Sequence, residues 1–186
     1  MRNSARDYLG QVATPQTIKL RLRYERPWLE HGQLYADLFA DPAVAEALWP
    51  GALGGPRTRD QAIELLRADI EHWRREGFGP WVCCERATGV FVARGGLRRT
   101  TVRERPCVEL LYAVRSDAWG LGYASEIAAA ALAHAHKLGL TDLVGFTLTT
   151  NAASRRVLQK VGMRFEGETF EHAGLPHLLG RLLPNS

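Results

Sequence analysis

Apolar and polar positions first fall into a regular pattern in TIKLRLRY. Ile18, Leu20, Leu22 and Tyr24 lie on one side of an extended chain and Lys19, Arg21 and Arg23 on the other, which predicts a strand with one buried and one water-facing side. Past Pro27 the period lengthens. HGQLYADLF places Leu34, Tyr35, Leu38 and Phe39 on one side of a short helix, and Asp41-Pro42 ends it, because the residue before a proline is pushed out of helical geometry. A second small turn of helix carries Val44 and Leu48, and WPGALGGP (residues 49–56) has the chemistry of a loop. Thr58-Arg-Asp-Gln61 then has the spacing of a capping box, and Ile63, Leu66, Ile70 and Trp73 recur at helical intervals until Gly77.

The middle of the chain is different in character. PWVCCER, VFVARGGLRRTTV and CVELLYAV are three β-rich runs joined by short turn segments, which predicts an antiparallel meander. Next come a helix from about Ala124 to Leu138 stopped by Gly139, a strand in LVGFTL, a helix in ASRRVLQKV ended by Gly162, a strand in MRFEGETF and a last strand in HLLGRLL. The fold class this implies is α+β, a mixed, mainly antiparallel central sheet flanked by helices. Residues 1–13 lack periodicity and are expected to form a flexible N-terminal tail, with 14–186 as a single domain.

Composition narrows the function classes. In 186 residues, 46% hydrophobic and 24% charged content suits one globular core. No apolar run approaches the roughly 20 residues needed to cross a bilayer, and MRNSARDYLGQ has no hydrophobic signal core, so a cytoplasmic protein without a membrane partner is expected. Lys and Arg number 24 against 20 Asp and Glu, but the basic residues are scattered and nucleic acid is not indicated as a partner. Cys83, Cys84 and Cys107 have neither metal-ligand spacing nor an even count; buried free thiols are expected, the adjacent pair pointing to opposite sides of a strand. His134 and His136, two apart on a helix, cannot share a ligand, and no metal is expected.

The candidate chemistry starts at DAWGLGYASE, where two glycines one residue apart precede the helix IAAAALAHAHKLG. A helix start leaves its first N–H groups unpaired and carries about half a positive charge, so Gly120, Gly122 and Ala124 would let a phosphate approach bare backbone. A tight turn without a ligand is the alternative. A dinucleotide fingerprint does not fit, because Ser125 holds the third position and the nearest acid, Asp142, precedes its strand. A Walker loop lacks its Gly-Lys-Ser/Thr ending.

The wider arrangement is more specific: Glu109 to Tyr112 on a strand, WGLGYA (Trp119 to Ala124), a helix, a strand, NAAS (Asn151 to Ser154), VLQKVGM and EG. In this order the chain resembles the GNAT superfamily of acyl-CoA-dependent N-acetyltransferases, most closely its RimJ/RimL-like branch, from about Thr17 to Leu183. The family's pyrophosphate loop reads Gln/Arg-x-x-Gly-x-Gly/Ala. Here Trp119 takes the first place, Gly122 the glycine and Ala124 the last.

The resemblance implies acetyl-CoA as co-substrate, held by the loop of Trp119, Gly120, Leu121, Gly122, Tyr123, Ala124 and Ser125, by the backbone of Tyr112, Ala113 and Val114, and by Asn151 and Ser154. It implies Glu109 as general base, an ion pair with Arg98, Arg99 or Arg103 being the alternative, and Ser154 as the proton donor to the departing thiolate. Many members use a tyrosine seven residues after the asparagine; here that place is Leu158. Arg155 and Arg156 either approach phosphates or face water. The implied acceptor is a primary amine, a protein N-terminus or a small molecule, bound near Trp28 and the Trp49 loop; His172 and His177 in EHAGLPH are expected in a surface turn, the acceptor mouth being the alternative. The enzyme is expected to act as a monomer or homodimer, and the competing function is a catalytically inactive coenzyme A binding or sensing module.

Overall fold

A computed structural model describes residues 21–51 and 54–182. The tail expected over 1–13, residues 17–20 of the first strand, residues 52–53 of the loop and Leu183 lie outside the described residues. In chain order the elements are β1 (Leu22–Glu25), α1 (Gly32–Ala40), α2 (Pro42–Leu48), α3 (Arg59–Glu76), β2 (Pro80–Glu85), β3 (Phe91–Val102), β4 (Arg105–Val114), α4 (Tyr123–Lys137), β5 (Leu143–Leu148), α5 (Ala152–Lys160), β6 (Met163–His172) and β7 (Leu175–Leu182).

The local signals act as their chemistry requires. Asp41 caps α2 by accepting from the Ala43 N–H at 2.8 Å. Thr58 and Gln61 close the reciprocal capping box of α3, which ends at Gly77 with φ +75°. The buried residues of α3 are Ala62, Leu66, Asp69, His72 and Trp73, so a carboxylate and an imidazole interrupt an otherwise apolar series.

Seven strands form one sheet in the order β1-β2-β3-β4-β5-β7-β6, antiparallel except for β4 and β5, which run parallel. The fold is α+β. Val108, Leu110 and Val114 of β4 pack with Ile127, Ala128 and Ala131 of α4 on one face of the sheet. On the other face Ala113 meets Tyr35 and Phe39 of α1 and Leu66 of α3. Cys83 and Cys84 are free thiols buried in these two separate clusters. Among the described residues no helix is long and apolar enough to cross a membrane.

Two expectations are corrected. Arg21 does not simply face water: its guanidinium crosses to Glu126 of α4 at 3.0 Å, because a buried carboxylate there needs a partner. His172 and His177 are not in a loose surface turn. Ala173 and Gly174, at φ +51° and +77°, make a two-residue hairpin turn, so β6 runs through His172 and β7 begins at Leu175, leaving His177 buried inside a strand.

Candidate active site

The site begins with a break in the sheet. β4 and β5 pair only at Val108 with Leu143 and Glu109 with Val144, and beyond those residues the strands part. The Arg115 N–H donates to Val92 and the Val108 N–H to Asp142, so alternation turns the main-chain groups of Leu111 and Ala113 toward β3 and those of Tyr112 and Val114 toward the gap. Ala113 therefore reaches the gap with its side chain alone. The Val114 carbonyl accepts from the Trp119 indole N–H at 2.8 Å, which gives the side chain at the first loop position a bracing role. A cleft of about 680 Å³ runs through the gap, lined by Glu109 to Val114, the glycine turn and the first residues of α5.

At one end of the cleft, Gly122 is the N-cap of α4 at φ +84° and Gly120 has φ +77°, a backbone shape that side chains oppose. A Cβ at Gly120 would meet nothing within 4 Å, so the turn presents open backbone. Among the described residues no group accepts from the N–H groups of Tyr123, Ala124 or Ser125, as the first turn of a helix dictates. The turn is pinned from below. Glu126 accepts from the Leu22 N–H at 2.8 Å, Arg21 donates to the Leu121 carbonyl at 2.9 Å, and its guanidinium lies 4.6 Å from the Tyr123 ring centroid. The Tyr123 hydroxyl bonds the Glu85 carboxylate, which raises the phenol's pKa and lowers the acid's.

On the α5 side, Asn151 caps the helix by accepting from the Ser154 N–H at 3.0 Å, and its Nδ2 lies 3.4 Å from the Ala47 carbonyl. The Tyr112 Oη stands 3.0 Å from Ser154 Oγ and 3.3 Å from the Ser154 carbonyl. Burial pushes this phenol up to about 12, with the Ser154 hydrogen bond pulling the other way. Only the backbone of Tyr112 figured in the sequence reading; its hydroxyl, paired with Ser154, is the addition. Leu158 is buried at the foot of the cleft, where a Cβ on Gly145 would come within 2.7 Å of it. Arg156 lines the cleft, whereas Arg155 lines a separate shallow depression.

On the opposite face, Glu109 is buried and Arg98 donates to its Oε2 at 2.9 Å; Oε1 takes no hydrogen bond from the described residues. Of the three arginines named as its alternative partners, Arg98 is the one it meets. His172 and His177 line this side with Phe146, the two imidazole centroids 5.4 Å apart. Desolvation lowers the His172 pKa, and His177 lowers it further. Trp49 lines the cleft beside Phe39, with the Arg57 guanidinium 4.1 Å from its ring centroid, while Trp28 is exposed and lies away from it.

Comparison with known proteins gives the family and the fold. Residues 21–164 match the family model described as "Acetyltransferase (GNAT) domain". FsC-acetyl coenzyme A-N(2)-transacetylase of Aspergillus fumigatus is 33% identical over 147 residues, 72% of this chain and 58% of that protein, so the chain spans well under two thirds of that relative's length. In fold, an acetyltransferase from Agrobacterium tumefaciens is similar with a TM-score of 0.73 at 20% identity, covering 99% of this chain and all of that one. RimL, a ribosomal alpha-N-protein acetyltransferase in complex with coenzyme A, is similar with a TM-score of 0.67 at 17% identity over 87% of this chain and 92% of its own. The chain belongs to the GNAT family of acetyltransferases, acyltransferases that take their acetyl group from acetyl-CoA.

Proposed function

We propose that the chain, as one domain over 14–186, is an N-acetyltransferase of the RimJ/RimL-like branch that moves an acetyl group to a primary amine by direct attack in a ternary complex. The observation that carries this reading is the gap between β4 and β5, which has a helix-tip anion cradle and a hydroxyl pair toward α4 and α5, and a buried carboxylate toward α1 and α3. Amine and thioester would thus meet from opposite sides of the sheet.

The residues fit coenzyme A. The open glycine turn and the free first-turn amides suit a pyrophosphate, and the parted strands suit an extended arm. When bound, acetyl-CoA supplies the activated thioester. The N–H groups from Gly120 to Ser125 would hold phosphate oxygens, and the gap-facing groups of Tyr112 and the N–H of Val114 would line the arm. Asn151 Nδ2, whose contact with Ala47 is long, is the side-chain donor for the arm. The Tyr112 N–H would be the preorganised donor to the acetyl carbonyl.

Glu109 Oε1 takes the amine proton directly or through one water, while Arg98 fixes the other oxygen. An α-amine, with a pKa of about 7.7 to 8.0, needs less help than a lysine at about 10.4. Ser154, hydrogen-bonded to Tyr112, donates to the leaving thiolate. With its pKa near 12 the phenol stays protonated at neutral pH and can restore that proton. Thiol release from acetyl-CoA measured across peptides and small amines tests the assignment; tight binding of coenzyme A with no turnover on any amine would refute it.

A further inference from the structure

Resting on the acetyl-transfer reading above, we propose that the acceptor is a small primary amine that also bears a carboxylate, and that Nη1 of Arg94 binds that carboxylate. Arg94 lies on β3, on the same side of the sheet as Glu109, and lines the cleft although it is only 8% exposed. Its Nε and Nη2 each donate at 2.6 Å to the two oxygens of Asp69, which is 1% exposed and accepts from the Tyr35 hydroxyl at 2.7 Å. This bidentate brace fixes the plane of the guanidinium. The neighbouring carboxylate also keeps Arg94 charged against the cost of burial.

The third nitrogen is what a purely structural brace leaves unexplained. Tying α3 to β3 uses Nε and Nη2, and Nη1 donates to no acceptor among the described residues. Nor is it sealed inside: among the described residues, the one buried side-chain nitrogen or oxygen without a partner is His134 Nε2. Nη1 therefore keeps some exposure, and the cleft is the cavity that Arg94 lines. A nearly buried cation with one free edge is a built site for a planar anion.

Charge and reach agree with this. On this wall Arg94 and Arg98 face the cleft with Glu109, whereas Asp69 stands behind it, so the wall carries more positive than negative charge. Residues 94 and 98 are about 13 Å apart along the strand at roughly 3.3 Å per residue, which leaves room for an amine near Glu109 and a carboxylate near Arg94. Phe39, Leu48 and Trp49 supply an apolar wall for the carbon chain between them.

The test is a set of matched pairs, amino acids of graded length from glycine to 6-aminohexanoic acid, each against its carboxamide, with short N-terminal peptides alongside. Initial rates of thiol release are read at saturating acetyl-CoA. At the best length the acid should exceed its amide at least about tenfold in kcat/KM, since charged hydrogen bonds exceed neutral ones by about that much. Calorimetry on the N-acetylated products should show the same preference, and Arg94→Lys, which keeps a cation beside Asp69 but not the planar fork, should erase it without changing the KM for acetyl-CoA. Amides or peptides used as well as acids would overturn this inference and leave the transferase reading intact. No thiol release with any amine would overturn both, and equal affinity for the acid and amide products would overturn the inference alone.

Discussion

Alanine placed in turn at Gly120, Gly122 and Gly139 separates backbone strain from ligand binding. All three have positive φ, +77°, +84° and +64°, and a Cβ would meet nothing within 4 Å at Gly120 and Gly139 and only the Arg21 Nη2 at 3.5 Å at Gly122. No clash arises inside the protein, so the stability cost of each is the left-handed backbone alone, about 1 to 2 kcal/mol. For a domain of this size that lowers Tm by roughly 2 to 8 °C. The ligand effect should differ. Gly120 and Gly122 form the open turn at the start of α4, while Gly139 follows its far end, about 22 Å away at 1.5 Å per residue. A methyl at Gly122 that blocks one charge-assisted bond to a phosphate removes about 1.5 to 3 kcal/mol of binding, or roughly 10- to 100-fold in Kd. Denaturant melts and calorimetry with coenzyme A read the two effects separately. If Gly139→Ala weakened coenzyme A as much as Gly122→Ala, or if Gly122→Ala left the affinity unchanged, the turn would not be the phosphate cradle.

Glu109→Gln should lower kcat about 10²-fold with little change in the KM for acetyl-CoA; an unchanged rate would remove Glu109 from the chemistry. Ser154→Ala and Tyr112→Phe should each slow turnover, and because they share one hydrogen bond the double variant should lose less than the product of the single losses in steady-state rates; full additivity would separate them. Asp69→Asn should destabilise the fold by about 3 to 5 kcal/mol by stranding the buried Arg94, whereas Tyr35→Phe should cost about 1 kcal/mol, both read by denaturant unfolding. His72 donates through Nδ1 to the Phe78 carbonyl and accepts through Nε2 from the Arg99 N–H, so it is neutral, and desolvation lowers its pKa. Its stabilisation is present above the unfolded value of about 6.5 and is lost as pH falls through the lowered folded value. His72→Gln should therefore be less stable at pH 7.5 but show a shallower decline below pH 6.5; an equal slope would refute the assignment.

Features written in local spacing were legible in the sequence. The capping box at Thr58, the stop at Gly77 and the three β-rich runs of the meander each depend on residues a few positions apart, and the structure has them where the spacing puts them. Contacts that join distant segments were not legible. Alternation assigns Arg21 to the wet series, and nothing near it in sequence announces Glu126, 105 residues on. Asp69 did carry a signal. With Ala62, Leu66 and Trp73 it completes a 4-3-4 spacing, but the apolar reading chose Ile70, which is only half-buried. A charged residue on a buried stripe implies a partner of opposite charge, and Arg94 is that partner. The hairpin before His177 is not legible, because Ala173-Gly174 does not advertise a two-residue turn as Asn-Gly would.

The position of the site follows from strand direction. Among the described strands, β4 and β5 are the parallel neighbours, and a parallel pair needs a crossover, here α4. A helix that leaves the carboxyl end of β4 must start beside that end, so its unpaired amides and positive dipole point to where the two strands part. The same parting frees the main-chain groups of Tyr112 and the N–H of Val114 from the ladder that would have consumed them. The open helix start and the bare strand edge are thus consequences of one topological feature, and the side chains add what topology cannot. Glu109 stands at the last paired position on one face of β4, and Tyr112 lies three residues on with its side chain toward the other face. Because alternation gives odd and even residues opposite faces, the proposed acceptor of the amine proton, Glu109, and the hydroxyl proposed to restore the proton of Ser154, that of Tyr112, can come from one strand without meeting. A one-residue slip of β4 would exchange the faces and abolish that separation, so the register of this strand against β3 fixes the chemistry as firmly as the identity of either side chain.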